Sequence, residues 1–369
     1  MIMKKTTMIL VGLALMVVGC AKTEDVKVPS SGRGISFNGY TARHTKSAQT
    51  DVTTENLSTF NVTAVGNEAV YYDDVQYTKN GKVWESDPVH FWPAYDLDFY
   101  AYNVPGNNTG FIRTIKNDGQ TIVVTPASDL VNQEDLVAAV AESQNPTNND
   151  SKGAIALNFH HYLTQVVVKA KNSSNNYKVV VDGVKLANLA GDGTYTFTDA
   201  KMTATTEKIN SATSSDYSST FTEKTLTSDA VEVMTDGGNG RWYLIPQTVT
   251  AWNQETEKKN TSNGTYLALK VKITTSNGAK IYPASGEASA WMAVPVPAGL
   301  AFAQGKRYNV TVDFYSSDNG GAGYVDPEYP GDLDGKPTTD DSGKKIKEVI
   351  MFDASVTTWG DTVDVVISL

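Results

Sequence analysis

Cys20 is the residue whose type and position most directly predict a chemical reaction. It is the only cysteine of the chain, and it follows two lysines, Lys4 and Lys5, and the apolar run 8–19. That run is shorter than the roughly 20 apolar residues that span a bilayer, and it is typical of a cleaved signal peptide. We therefore predict that residues 1–19 are removed and that the Cys20 thiol carries a thioether-linked lipid. An ordinary secretory signal beside a chance cysteine is the alternative.

The order Val17-Val18-Gly19-Cys20 resembles a bacterial lipobox, although Val18 is bulkier than the alanine or serine usual at that place. Because no second cysteine follows, the exported body has no disulfide, no thiolate metal site and no cysteine nucleophile. An apolar core alone must therefore stabilise it.

The remaining residues carry few patterns that could support catalysis. Of the four histidines, His160 and His161 are adjacent. Neighbours on a strand point to opposite faces, so this pair does not converge on a metal, and we expect one packed and one exposed imidazole. The sequence has no Gly-x-Ser-x-Gly, phosphate-loop or His-Glu-x-x-His pattern. We therefore predict no catalytic residues, no metal and no cofactor.

Two further features could bind a ligand. Asp332-Leu-Asp334-Gly335 has the oxygen ligands and glycine turn of a calcium loop, but it lacks a third ligand and a bidentate glutamate. A solvated acidic tether is the favoured interpretation. Tryptophans could stack on sugars, yet in a β-sandwich they are more often core residues. The tryptophans in question are Trp84, Trp92, Trp252 and Trp291.

The charge of the chain argues against some partners. Its 31 basic and 41 acidic residues give a net charge of -10, and loss of Lys4 and Lys5 with the signal peptide brings this to -12. Nucleic acid and anionic lipid are poor partners for such a surface.

The sequence pattern predicts β-strands along most of the exported chain. Apolar residues recur at every second position between clusters of Gly, Asn, Asp, Ser and Thr, and the clearest run has Leu267, Leu269, Val271 and Ile273 on one face. This alternation predicts antiparallel sheets packed as sandwiches. Further predicted strands are 60–65, 97–101, 121–125, 165–170, 177–181, 242–245 and 308–314. Residues 135–143 have helix-forming composition but an apolar centre short enough for a strand, so both assignments stay open.

The length of the chain predicts two domains. The turn-forming cluster 145–151 places their boundary between residues 150 and 151. Residues 316–345 are rich in Gly, Asp and Pro and are predicted to form a tether. Two short strand patterns follow, at 349–356 and 363–369.

Taken in order, several short motifs resemble the fimbrillins of type V pili, over nearly the whole exported chain. Those of the first half are Ile35-Ser36-Phe37, 57–62, Trp84, Phe91-Trp92-Pro93 and 97–102. Those of the second half are 159–163, 244–247, 306–308 and 356–359. The resemblance implies an all-β chain with two tandem transthyretin-like antiparallel β-sandwich domains, 35–150 and 151–369. It also favours a strand at 135–143.

The same resemblance implies export as an outer-membrane lipoprotein and assembly into a surface fimbria, in shaft or tip. In that family an arginine-specific protease removes the first strand, and a strand of the next subunit fills the groove. Arg43 occupies the matching place, within a polar run that a protease can thread, so that 20–43 is the removed segment. Arg33 is the alternative site, and a solvated loop charge is the alternative role for Arg43.

The last strand pattern has the side chains that a donor strand needs. Val363, Val365, Ile367 and Leu369 alternate with other residues, so one face can fill pockets while the backbone pairs with the acceptor. A last strand paired within its own domain is the alternative. The expected partners are other fimbrial subunits, the outer membrane through the lipid on Cys20, and the maturation protease. A monomeric, lipid-anchored module that binds host protein or glycan is the second hypothesis for function.

Overall fold

The computed structural model describes residues 34–41, 52–103, 112–114, 121–147, 154–204, 214–236, 240–252, 264–283, 288–297, 299–315, 324–325 and 351–358. Cys20, Arg43, 332–335 and the last strand pattern, 363–369, lie outside these ranges. No helix within them is long and apolar enough to cross a membrane.

Strands are the main element of the described residues, which contain no α-helix, and this confirms the all-β prediction. The strands up to His161 are β1 (Ser36–Thr41), β2 (Thr59–Gly66), β3 (Ala69–Asn80), β4 (Val83–Glu85), β5 (Leu97–Tyr102), β6 (Ile112–Thr114), β7 (Thr121–Val124), β8 (Val137–Gln144) and β9 (Ala154–His161). One 3₁₀ turn, Leu130–Asn132, precedes β8.

The remaining strands follow without a helix between them in the described ranges. They are β10 (Thr164–Asn172), β11 (Tyr177–Ala190), β12 (Gly193–Thr196), β13 (Lys201–Ala204), β14 (Ser214–Thr225), β15 (Val231–Glu232), β16 (Trp242–Leu244), β17 (Gln247–Thr248), β18 (Tyr266–Thr275), β19 (Lys280–Tyr282), β20 (Ala290–Pro295), β21 (Ala301–Phe302), β22 (Lys306–Phe314), β23 (Tyr324–Val325) and β24 (Met351–Thr358).

Seven strands of the first half close into a barrel in the order β1-β4-β3-β2-β5-β8-β9. All neighbours are antiparallel except β1 and β9, which run parallel. β8 shows that the ambiguous segment 135–143 is mainly strand. β9 begins at Ala154, beyond the predicted boundary, and still belongs to the barrel; the division into domains stays a prediction.

Two sheets of the second half enclose one hydrophobic core. The first has the order β15-β10-β22-β24 with β16 beside β10, and the second has the order β14-β11-β18-β20-β23 with β19 beside β18. The alternating face of β18, Leu267 to Ile273, is buried in this core. The opposite face is not wholly exposed, because Ala268 packs in a small cluster with Trp252.

A third sheet joins the two halves of the chain. Its order is β13-β12-β7-β6, so that β7 of the first half pairs with β12 of the second. Tyr102 and Leu136 share a core here with Tyr195 and Tyr243. A two-stranded sheet, β17-β21, completes the described fold.

Candidate functional site

β1 closes the barrel by lying between β9 and β4, and we call the space that it fills the β1 lane. Its ladder with β9 has six residue pairs, from Ser36 with Ala154 to Thr41 with Phe159. Its ladder with β4 has one pair, Phe37 with Trp84. The lane can therefore hold one extended segment, with most main-chain pairing on the β9 side.

Phe37 lies at the centre of the lane and is fully buried. Its ring meets the rings of Phe60, Tyr77 and Phe99 edge to face, with centroid distances of 6.0, 4.7 and 5.2 Å. Edge-to-face contacts of this kind add to the stabilisation from burial. The pocket for Phe37 is thus built from β2, β3 and β5, and loss of β1 would open it.

Gly39 marks a narrower part of the lane. A Cβ atom at this residue would lie 3.2 Å from Cη2 and Cζ3 of Trp84 and 3.6 Å from Cε2 of Phe159. The Trp84 indole is buried, and its Nε1 donates a hydrogen bond to the Leu57 carbonyl oxygen at 3.2 Å. Trp84 therefore leaves no room at this position for a side chain larger than a methyl group, and even a methyl group requires the ring to shift by a few tenths of an ångström.

Polar groups near the Phe37 pocket are uncharged at neutral pH. Burial raises the pKa of Tyr72 well above its usual value and raises the pKa of Tyr77 to about 12. The two hydroxyls are 2.9 Å apart and share a hydrogen bond. Burial also lowers the pKa of His90, whose Nδ1 lies 3.1 Å from the Ser86 hydroxyl. The surroundings therefore suit an apolar strand rather than a charged ligand.

The start of β1 is held by the loop before β5. The Ile35 amide donates a hydrogen bond to the His90 carbonyl oxygen at 2.7 Å, and Gly34 bridges to Phe91. The side chains of Val89 and Phe91 are exposed beside this entrance. The first residues of a strand in the lane therefore lie beside the exposed apolar side chains of Val89 and Phe91.

The histidines and tryptophans considered as possible ligand-binding residues do not form a common site among the described residues. His160 is exposed and His161 is buried, as the strand pattern predicted. Trp84, Trp92 and Trp252 are buried, so they do not offer a face to sugars. Trp291 is half-buried, and Nζ of Lys185 lies 5.1 Å from the centroid of its ring. The described residues contain no group of three or more His, Cys, Asp or Glu that could hold a metal.

The predicted strand 349–356 corresponds to β24. β24 pairs antiparallel with β22 over eight residues, from Met351 with Asp313 to Thr358 with Lys306. It forms one end of its sheet as described. Cys20, Arg43, Val363, Val365, Ile367 and Leu369 lie outside the described residues, and their roles stay predictions.

Two relationships escaped sequence reasoning. One is the contact of Gly39 with Trp84, and the other is the pairing of His161 with Asp135. Only the Ile-x-Phe-x-Gly pattern of β1 signalled the first, because it places a glycine on the face that carries Ile35 and Phe37.

The chain is similar to known fimbrial proteins. A family model described as fimbrillin-like matches residues 43–323. The fimbrium subunit Fim1C of Phocaeicola vulgatus is 24% identical over 216 residues, which cover 50% of this chain and 57% of that protein. This chain thus matches little more than half the length of that relative.

A crystal structure of a fimbrial protein from Bacteroides vulgatus is similar in fold. Its TM-score is 0.58 at 17% sequence identity, and the match covers 89% of this chain and 99% of that chain. At this identity the likeness shows the fold alone.

Proposed function

Because this chain belongs to the fimbrillin-like family, we propose that it is a structural subunit of a bacterial surface fimbria that assembles by strand exchange in the β1 lane. Shaft and tip positions both fit this role. In this proposal the barrel and the two-sheet core are tandem transthyretin-like sandwiches, and the first domain extends through β9 to His161.

The observation that carries the proposal is the way β1 fills its lane. The strand is short, its Phe37 occupies a pocket made wholly by other strands, and most of its backbone pairs lie on one side, with β9. A segment bound in this way can be replaced by a strand of another subunit that offers similar side chains.

The positions of the two candidate arginines support cleavage at Arg43. β1 spans Ser36–Thr41, between Arg33 and Arg43. A cut after Arg33 would leave β1 attached to the body, whereas a cut after Arg43 would detach the whole strand. Only the second cut can empty the lane, so maturation by an arginine-specific protease at Arg43 fits strand exchange.

The two ends of the chain have separate roles in this proposal. Cys20 carries the lipid that holds the precursor at the outer membrane until the cut after Arg43 releases the body. The C-terminal strands beyond the tether 316–345 supply the donor, and Val363, Val365, Ile367 and Leu369 form the apolar face of the last strand. Contact with host surfaces is the proposed outcome of assembly.

Protease treatment of the purified precursor tests the proposal. An arginine-specific protease should convert the monomer into a ladder of oligomers that is stable in mild detergent. An Arg43→Lys precursor should stay monomeric under the same conditions. A trimmed monomer that never forms a ladder would contradict a shaft subunit, and it would favour a tip subunit or a monomeric surface binding module.

A further inference from the structure

We propose that Trp84 is a size filter for the strand that replaces β1, and that the segment Ile350–Ala354 of a second copy is the occupant that passes it. This inference rests on the proposed strand exchange and adds which residues select the incoming strand.

The filter follows from the different space available at two neighbouring positions on the buried face of β1. At Phe37 the lane accepts a full aromatic ring, whereas at Gly39 even a methyl group would lie 3.2 Å from the Trp84 ring. A distance of that size requires the ring to shift by a few tenths of an ångström. A branched side chain would require a much larger shift in a closely packed interior.

Trp84 is held on several sides. Besides its hydrogen bond to Leu57, its ring lies 5.7 Å from that of Phe60, and the Lys79 ammonium lies 5.0 Å from its centroid. Lys79 is itself fixed by donating to the Thr54 carbonyl oxygen at 2.6 Å. The indole therefore resists the larger displacement that a branched side chain would require.

One C-terminal segment repeats the pattern of β1. Residues 35–39 read Ile-Ser-Phe-Asn-Gly, and residues 350–354 read Ile-Met-Phe-Asp-Ala. In the register of β1, Phe352 would take the Phe37 pocket and Ala354 would face Trp84. The small residue thus falls at the narrow position.

The last strand pattern fits this part of the lane less well. With Val363 and Val365 at the positions of Ile35 and Phe37, Ile367 would face Trp84. We therefore assign Ile350–Ala354 to the lane and the last strand to the acceptor surface beyond the end of β1.

β5 has the same spacing, with Leu97, Phe99 and Ala101, but it is paired with β2 on one side and β8 on the other. It is therefore committed to its own barrel. β24, which includes most of the repeated pattern, has one described neighbour, β22, and follows the predicted tether. Of the two segments, only β24 can leave its sheet without dividing it.

Peptide exchange tests the filter and its occupant. The full chain receives a specific protease site after Ser47, is cut there, and is mixed with fluorescent peptides of residues 34–41 and 349–356. Both peptides should bind, as measured by anisotropy. Gly39→Val and Ala354→Val should each weaken binding by at least about tenfold, because overpacking of this size is worth roughly a factor of ten or more.

Two matched controls separate the filter from general effects of the substitution. Asn38→Val places the same β-branched side chain next to Gly39 but on the other face of the strand, and it should change binding far less. A Trp84→Leu acceptor should bind the Gly39→Val peptide as well as the parent peptide, because the narrow position has been widened.

In the uncut chain, the melting temperature gives a readout that needs no exchange. Gly39→Val should lower it more than Asn38→Val, and Trp84→Leu should shrink that difference. Equal effects of Gly39→Val and Asn38→Val would overturn the filter.

The remaining outcomes are also decisive. If the 34–41 peptide binds and the 349–356 peptide does not, the assigned occupant is wrong while strand exchange stands. If no peptide binds to the cut chain, both strand exchange and the occupant are wrong, and the melting comparison alone decides the filter.

Discussion

The Nδ1 atom of His161 lies 2.6 Å from Oδ2 of Asp135, and both side chains are buried. His161 ends β9, the last strand of the barrel, and Asp135 precedes β8. The Val52 amide donates to the same carboxylate oxygen at 3.2 Å. This carboxylate therefore joins the end of the barrel to the chain at Val52, ahead of β2.

Replacement of His161 tests the importance of that junction. His161→Ala should lower the free energy of unfolding by about 3 kcal/mol, because it leaves the buried Asp135 carboxylate without its imidazole partner. Urea denaturation measures the loss. The neighbouring His160 is exposed, so His160→Ala should change stability by less than about 0.5 kcal/mol. Equal losses in the two variants would contradict a stabilising role for the pair.

Stability should fall in alkaline solution through Tyr77. Burial raises its pKa from 10.0 to about 12, so the unfolded chain loses this proton at a lower pH than the folded chain. The contribution is complete below pH 10.0 and is lost as the pH rises towards about 12. A difference of that size corresponds to roughly 2 to 3 kcal/mol.

Urea titrations across this pH range measure the effect, with Tyr77→Phe as the comparison. The variant should be less stable at neutral pH, since Tyr72 loses a hydrogen-bond partner. Its decline in alkali should nevertheless be shallower than that of the parent. A decline of the same steepness in both proteins would assign the effect to other tyrosines.

Anchoring is predicted to depend on Cys20 alone. Cys20→Ala should move the protein out of the membrane fraction, because no other thiol can take a lipid, and the circular dichroism spectrum should stay that of a folded β protein. Membrane retention equal to that of the parent would show that another feature anchors the chain.

Maturation is predicted to start the surface form at His44. N-terminal sequencing of assembled fibres should read His44-Thr45-Lys46, and Arg33→Lys should leave this start unchanged. Arg43→Lys should abolish it, because the cut that detaches β1 is lost. Fibres that begin at Cys20 would refute the prediction, and fibres that begin at Gly34 would move the cut to Arg33.

Removal of the last strand tests its role as donor. A chain that stops at Trp359 should melt near the temperature of the parent monomer but form no oligomer ladder that withstands detergent. It keeps the segment assigned to the β1 lane, but it loses Val363, Val365, Ile367 and Leu369, whose side chains are predicted to be buried against the neighbouring subunit rather than in their own domain. If the truncated monomer melts far below the parent and still assembles, the strand belongs to its own domain.

Much of the fold follows from local pattern. The alternation of apolar and polar residues in β18 and β22 predicted both strands and their buried faces. Successive side chains of a strand point to opposite faces, so a strand with one buried face has apolar residues at every second position. The segment that became β8 was ambiguous, since Ala and Val in a short run suit a buried strand and a helix alike. Its partners, β5 and β9, decided the outcome.

The candidate site was less accessible to sequence reasoning. The parallel pairing of β1 with β9 joins Phe37 to Ile155 across more than a hundred residues, and no local signal encodes it. The same holds for Trp84 against Gly39 and for Asp135 against His161. Each depends on how distant strands are packed, which periodicity does not specify.

The six-pair ladder between β1 and β9 has a mechanical consequence. A strand held there and pulled along its own axis loads all six pairs together, in shear, whereas a strand peeled sideways would break them one after another. A subunit joint made in this lane would therefore bear tension along the strand far better than a force across it.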